Sequence, residues 1–312
     1  MKRYLVTGGA GFVGSNLAFA LERERKAAVT VLDDFSSGDW KNLSGFGGTV
    51  ITARVQDACW HDKAGAADAV FHQAALVDTT VADQRAMMEA NVDGFRSVLD
   101  YAAKNGVKRV VYASSAAVYG NSKCPMREDQ VPTPENVYGF SKAIMDNVAR
   151  EFAEAHKDMT IVGLRYFNVY GPREYYKGKM ASMIFQLYRQ MKAGKRPRIF
   201  KFGEQTRDFV YVKDLVRGNL NALDAKRSCV CNLATGKPGS FNEVVEALNK
   251  AMRLDLAPEY FDNPYSFYQN RTQADLRQAK ALLNYRPEWS LADGIADYVK
   301  IMEKEAAAAV HV

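Results

Sequence analysis

Cysteine and histidine are scarce, four of each in 312 residues. Cys59, Cys124, Cys229 and Cys231 form no Cys-x-x-Cys pair and show no zinc-type spacing with histidine, so a structural metal is not expected. They read instead as reduced, mostly structural thiols of a cytoplasmic protein. No apolar run approaches the roughly 18 residues a membrane span needs. The opening "MKRYLVTGG" passes from charge straight into a strand-like segment, without the apolar core of a signal peptide. The formal charge of +6 is spread along the chain rather than gathered into an arm or one helix face. Nucleic-acid binding is therefore not expected, and a phosphorylated small molecule suits the basicity equally well. Internal repeats and low-complexity linkers are missing too, and the terminal "EAAAAVHV" reads as a fraying helix end.

What remains is an ordinary globular composition, 47% apolar and 25% charged, long enough for one large domain or two unequal lobes. Short β-branched runs, "RYLVTG", "AVTVLDD", "TVITARV", "AVFHQAA", "KRVVYASS" and "TIVGLRYFN", alternate with amphipathic stretches at 12–25, 83–105 and 135–156. That rhythm predicts an α/β fold, a doubly wound parallel sheet covered on both faces. After Asn168 the rhythm breaks into shorter segments rich in glycine, proline and aromatics, with one helix over about 180–193. The pattern predicts a dinucleotide-binding domain over 1–167, to which the chain returns at about 212–235 through "DLVRGNLNALDA" and "CVCNLA". A smaller C-terminal α/β substrate lobe would comprise 168–211 and 236–312.

"VTGGAGFVGSN" follows the first strand and opens the first helix, with Gly8, Gly11 and Gly14 at three-residue spacing and Phe12 and Val13 between the last two. Glycines there permit a tight turn and close approach of a diphosphate to backbone amides at the helix start. Asp33, at the end of the second strand with Asp34 beside it, stands where a ribose-binding carboxylate is expected in this Rossmann-type arrangement. A carboxylate there repels a 2′-phosphate and favours NAD; Lys41 and Arg54 leave NADP open.

Four Tyr-x-x-x-Lys pairs occur: Tyr119/Lys123, Tyr138/Lys142, Tyr175/Lys179 and Tyr188/Lys192. Spacing alone does not choose among them. Only Tyr138 opens a long helix after the fifth strand, whose C-terminal end carries Ser114 and Ser115, and strand C-termini form the binding crevice of such sheets. An ammonium one turn away, and an oxidised nicotinamide, would both favour the phenolate. Tyr138 could then take a proton from a sugar hydroxyl while hydride departs.

"TGGAGFVGSN", "FHQAA", "YASSAAVYG", "NVYGFSK" and "RYFNVYGPRE" together resemble the extended short-chain dehydrogenase/reductases, in particular the nucleotide-sugar epimerases, over nearly the whole chain. The resemblance implies Ser115, Tyr138 and Lys142 as the catalytic set. Gln73, Ala74, Ala75, Asn91 and Val169 would line the dinucleotide, with Asp57 near its adenine. No acidic group follows Ser115, which disfavours the dehydratases of that superfamily.

"RYFNVYGPREYYKGKMAS" is similar to the matching stretch of the ADP-glycero-manno-heptose 6-epimerases, placing a second acid/base on Lys177. By the same resemblance a nucleotide diphosphate sugar would meet Asn168, Lys177, Lys179, Gln186, Phe200, Gly203, Arg207 and Tyr268, and the protein would assemble as a homo-oligomer. Plainer alternatives stand beside these. Arg207 and Asp208 could be a surface ion pair, Tyr268 a core aromatic, and Lys177 a solvated loop lysine. A UDP-hexose 4-epimerase and a catalytically silent dinucleotide sensor are the rival functions.

Overall fold

The computed structural model describes residues 1–78, 83–263 and 269–309. Seven strands form one parallel sheet: β1 (Arg3–Thr7), β2 (Ala28–Asp33), β3 (Thr49–Thr52), β4 (Ala69–His72), β5 (Arg109–Ser115), β6 (Thr160–Tyr166) and, arriving later, β11 (Cys229–Leu233). Their order, β11-β6-β5-β4-β1-β2-β3, reverses direction at β1 and β4, which opens a crevice beyond their C-terminal ends. This is the predicted doubly wound α/β fold.

Helices α1 (Phe12–Glu24), α2 (His61–Ala64), α3 (Gln84–Met88), α4 (Gly94–Lys104), α5 (Val137–Ala155), α6 (Met183–Lys192) and α7 (Val212–Ala222) follow in chain order. One buried cluster joins α1 and α7 to one sheet face through Leu17, Leu21, Val31, Leu164 and Leu215. The opposite face buries Phe95, Leu99, Tyr112 and Met145 from α4, β5 and α5. Sheet strands with apolar residues on both sides are what these two layers require.

The stretch 83–105 departs from the single helix expected: a π-turn over Glu89–Asp93 separates α3 from α4. The register change lets Asn91 bond the 73–78 loop. Its Oδ1 accepts from Leu76 N at 2.8 Å, and its Nδ2 donates to Leu76 O at 3.0 Å and to Ser141 Oγ at 2.9 Å.

Beyond β6 the strands are short and pair two by two. β7 (Asn168–Tyr170) runs parallel to β10 (Phe209–Tyr211), β8 (Arg198–Phe200) parallel to β13 (Glu259–Phe261), and β9 (Thr206–Arg207) antiparallel to β12 (Gly239–Ser240). Helices α8 (Phe241–Met252), α9 (Arg277–Leu283) and α10 (Leu291–Ala309) complete this half. A capping box, Ser240 with Glu243, starts α8.

Candidate active site

A cavity of about 850 Å³ lies over the C-terminal ends of the central strands. Its floor begins at the turn between β1 and α1. Gly8 adopts a φ of +67°, and a Cβ there would stand 2.5 Å from Ala74 N; one on Gly14 would stand 2.0 Å from Gly8 O. Only glycine lets the turn lie this flat against β4 and α1. Gly11 caps α1 with no side-chain acceptor, leaving the first-turn amides facing the cavity, where Phe12 and Val13 also line it. Uncapped amides and the positive helix end suit a diphosphate.

At the end of β2, Asp33 accepts from Ala10 N at 2.8 Å and Phe35 N at 2.9 Å. Burial pushes its carboxyl upward, and the two amides oppose that shift. Asp33, Asp34 and Arg54 all line this end. A dinucleotide therefore fits the residues present: a flat turn, free amides for phosphates and a carboxylate for ribose hydroxyls.

At the other end stand Tyr138, Lys142 and Lys177. Asn136 caps α5 by accepting from Gly139 N at 2.8 Å, which sets Tyr138 in the first turn. A Cβ on Gly139 would meet Ala117 O at 2.6 Å, so glycine brings this helix start against the end of β5. There the Ser115 hydroxyl, which accepts from Ala117 N at 3.1 Å, stands near the Tyr138 phenol and opposes the upward push of burial on it. One turn on, Lys142 is 1% exposed; its Nζ donates to Ala113 O at 2.8 Å and lies 5.8 Å from the centre of the Tyr138 ring. Burial lowers its pKa to about 8, while Asp146 favours the ammonium. Asp146 is itself fixed by Arg165 at 3.0 Å and by the Tyr112 hydroxyl at 2.9 Å. Beside them the Ser114 hydroxyl is buried without a partner.

The other three Tyr-x-x-x-Lys pairs do not reach the cavity. Tyr119 binds Asn232 and Arg165, Tyr175 binds Glu305, and Tyr188 and Lys192 both bind Glu303.

Lys177 arrives from the other half of the chain. The Gly-Pro turn after β7 leads into a 3₁₀ turn over Tyr175–Met180 whose Lys177 Nζ sits 5.3 Å from the centre of the Phe12 ring. Burial lowers its pKa, and Glu174 pulls the other way. Lys177 is thus a half-buried cavity residue rather than a solvated loop lysine.

The remaining expected residues divide. Gln73, Ala74 and Ala75 line the cavity. Asn91 does not; it is wholly buried beneath the loop it bonds. Asp57 caps a 3₁₀ turn behind Gln56, which lines the cavity, and Val169 packs against the core on β7. Asn168 accepts from Thr272, Lys179 is exposed, and Gln186 donates to Lys179 O and Ala181 O. Phe200 packs on Phe261, and Gly203 leaves room for Asn242. Arg207 is buried over Phe241 rather than paired at the surface with Asp208, whose carboxylate accepts from Thr235, Gly236 and Ala274. None of these lines the cavity. Tyr268 lies outside the described residues.

Among the cavity residues that were not anticipated, two are tyrosines. Tyr166 closes β6 opposite Ser115 and binds Gln73 Oε1 at 3.0 Å and Asn219 Oδ1 at 2.8 Å. Its place at a strand C-terminus is the signal that marks it. Tyr176 stands next to Lys177 at the rim.

A cleft that offers a diphosphate seat, a ribose carboxylate and a phenol–ammonium pair in one space defines a dinucleotide-dependent α/β enzyme acting on a hydroxyl carbon. The chain belongs to the NAD dependent epimerase/dehydratase family, whose model matches residues 4–234. It is 34% identical to an ADP-L-glycero-D-manno-heptose-6-epimerase of Brachyspira hyodysenteriae, over 96% of this chain and 98% of that one. The solved ADP-L-glycero-D-manno-heptose-6-epimerase of Helicobacter pylori superposes with a TM-score of 0.89 at 43% identity, covering 97% and 96% of the two chains. A UDP-glucose 4-epimerase of Thermotoga maritima superposes equally well, at 0.90, with 30% identity over 97% and 99%. Among the described residues no helix is long and apolar enough to cross a membrane.

Lys142 supports a prediction that needs no substrate. Its folded pKa of about 8 lies below the free-lysine value of about 10.4, so the buried ammonium destabilises the dinucleotide-free protein most fully below about pH 8. That penalty fades as pH rises through the window between the two values. Lys142→Met removes the penalty at every pH. Its unfolding free energy relative to wild type should therefore fall between pH 7 and pH 10, by about 3 kcal/mol at most. Denaturant titrations across that range check this; a pH-independent difference would contradict it.

Proposed function

We propose that this chain is a nucleotide-sugar epimerase that inverts C6 of the heptosyl group of ADP-glycero-manno-heptose. One observation carries the reading: Tyr138 from the first half of the chain and Lys177 from the second line one cavity beside the dinucleotide seat. When bound, NAD supplies the acceptor for the hydride and the donor for its return. Tyr138 Oη accepts the C6 hydroxyl proton, leaving a ketone. Lys142 holds its ammonium near the phenol and favours the ionised form. Ser115, near the same phenol, also favours its ionised form. After the keto sugar turns over, hydride enters the opposite face and Lys177 Nζ supplies the proton to the new hydroxyl. Each inversion leaves Tyr138 protonated and Lys177 neutral, and solvent exchange through the open mouth restores both. Hydride leaves and returns within the site, so no NAD is consumed.

Lys177 is suited to this part because burial lowers its pKa, which keeps both its protonation states within reach. A 4-epimerase does not require a second base of this kind. A cytoplasmic, homo-oligomeric enzyme completes the reading; its four free thiols, one of them exposed, accord with a reducing compartment.

The test is a direct comparison of two sugars. Purified protein incubated with ADP-heptose of one C6 configuration should yield the other epimer by proton NMR, and UDP-galactose should remain unchanged. Turnover of UDP-galactose alone would replace the reading with a hexose 4-epimerase, and turnover of neither would refute the epimerase assignment for both sugars.

A further inference from the structure

We infer that Asn42 is a positioning residue for Lys177, a carboxamide that ties the lysine-bearing turn to the glycine loop. The inference rests on the role proposed above for Lys177. Asn42 sits in the 3₁₀ turn Trp40–Leu43 after β2 and is 4% exposed. Its Nδ2 donates to Ala10 O, within the glycine loop, at 2.9 Å and to Arg173 O at 3.2 Å. One amide group thus joins the dinucleotide seat to a segment 131 residues further along the chain.

The seam has a second stitch of the same chemistry. Asn16, in the first turns of α1, donates to Phe12 O and to Pro172 O, both at 2.9 Å, and accepts from the Arg173 guanidinium at 3.3 Å. Arg173 holds a φ of +73°, a left-handed conformation rare for a residue with a side chain, and its guanidinium lies 4.2 Å above Phe19 of α1. The turn that carries Lys177 is therefore docked on α1 and the glycine loop from three sides.

Displacement at Arg173 has a short route to the amine. Glu174 is wholly buried and accepts from Gly171 N at 3.1 Å and from Ser182 N and Oγ at 2.5 and 2.8 Å, which closes 171–182 into one unit. Lys177 N donates to Glu174 O at 3.1 Å. Such a unit moves as a body when its anchor is lost. Among the described residues, Glu174 on its own turn acts on the Lys177 amine and the Phe12 ring lies 5.3 Å from it, while the titratable Tyr138, Lys142 and Tyr176 line the same cavity.

Removing the Asn42 carboxamide leaves Arg173 O without its donor and Ala10 O with Asp39 N alone, at 3.1 Å, and a shift of about 1 Å in a catalytic group can lower turnover by about 100-fold. Asn42→Ala should reduce kcat by about 10- to 100-fold, with KM for the sugar changed less than about threefold and the dinucleotide still bound.

The decisive readout needs no sugar. The NAD-loaded protein is treated with acetic anhydride over a range of pH, and the acetylation of the Lys177 peptide is followed by mass spectrometry. In wild type the Lys177 amine should titrate below the ordinary lysine value; in Asn42→Ala its titration should move up toward that value as the freed turn lets water reach the amine. Asn16→Ala should shift the titration in the same direction and serves if Asn42→Ala does not fold. A Lys177 titration that is the same in the folded variants as in wild type would overturn the inference, even if kcat falls. If wild type fails to turn over ADP-heptose the proposed reaction falls instead, and the labelling result still decides whether Asn42 places the lysine.

Discussion

Tyr138→Phe should lower turnover by about 10³-fold or more while the protein keeps its fold and its dinucleotide. The phenyl ring preserves the packing at the start of α5, where Asn136 caps the helix and Gly139 meets Ala117. What disappears is one oxygen, on the ring near Ser115 whose centre lies 5.8 Å from the Lys142 ammonium. Among the described residues no other tyrosine can take its place. Tyr166 also lines the cavity, but burial drives its pKa up and its hydroxyl is engaged with Gln73 and Asn219. Tyr176 stands at the rim, its pKa raised as well. In the dinucleotide-free protein burial holds the Tyr138 phenol above its ordinary value, so the charge of an oxidised nicotinamide is what would bring it toward neutrality. Rates by NMR, with quantitation of the dinucleotide released on denaturation, check both halves of the expectation. Activity within tenfold of wild type would remove Tyr138 from the proton path.

The main sheet was legible because each strand is a β-branched run of four to seven residues, long enough to distinguish from a helical period. Even β11, which arrives after the irregular segment, announced itself through "CVCNLA" and pairs with β6. The two- and three-residue strands β7, β8, β9, β10, β12 and β13 were not legible, since a period of two cannot be read from so few residues. The π-turn at Glu89–Asp93 escaped for a different reason. Amphipathicity continues through it, and the bonding of Asn91 to Leu76 that the register change permits is encoded by no local pattern.

The same division runs through the site. Tyr138 and Lys142 could be chosen from four pairs of identical spacing because strand topology puts only one of them at the crevice. Gly8, Gly14 and Asp33 carried their meaning locally, in a turn and at a strand end. Asn42 was missed because its partners lie 32 and 131 residues away and a single asparagine in a polar turn looks like any other. Asn91 was assigned to the cavity wall and stands one layer beneath it, since sequence can place a residue near a site without saying which side of a loop it supports.

Lys177→Met tests the opposite side of the cavity. Methionine keeps the unbranched stem against Phe12 and removes the nitrogen. Net inversion should fall by about 10²- to 10⁴-fold, the range for loss of one acid/base group. The distinguishing expectation concerns the half-reactions. If Tyr138 and Lys177 each serve one orientation of the keto sugar, Lys177→Met should still oxidise the epimer that faces Tyr138. Tyr138→Phe should still oxidise the other. Each variant, given each pure epimer and a carbonyl-trapping reagent, should then accumulate keto sugar from one substrate only, with opposite preferences. The wild-type pH dependence has a definite sign as well. Lys177 must be neutral to accept a proton, so oxidation of the epimer facing it should rise with pH through a value below that of ordinary lysine. Glu174 favours the ammonium, so Glu174→Gln should move that limb to lower pH. A single base serving both faces predicts none of this asymmetry; equal losses for the two epimers in Lys177→Met would therefore leave Tyr138 as the sole proton acceptor and return the lysine to a binding role.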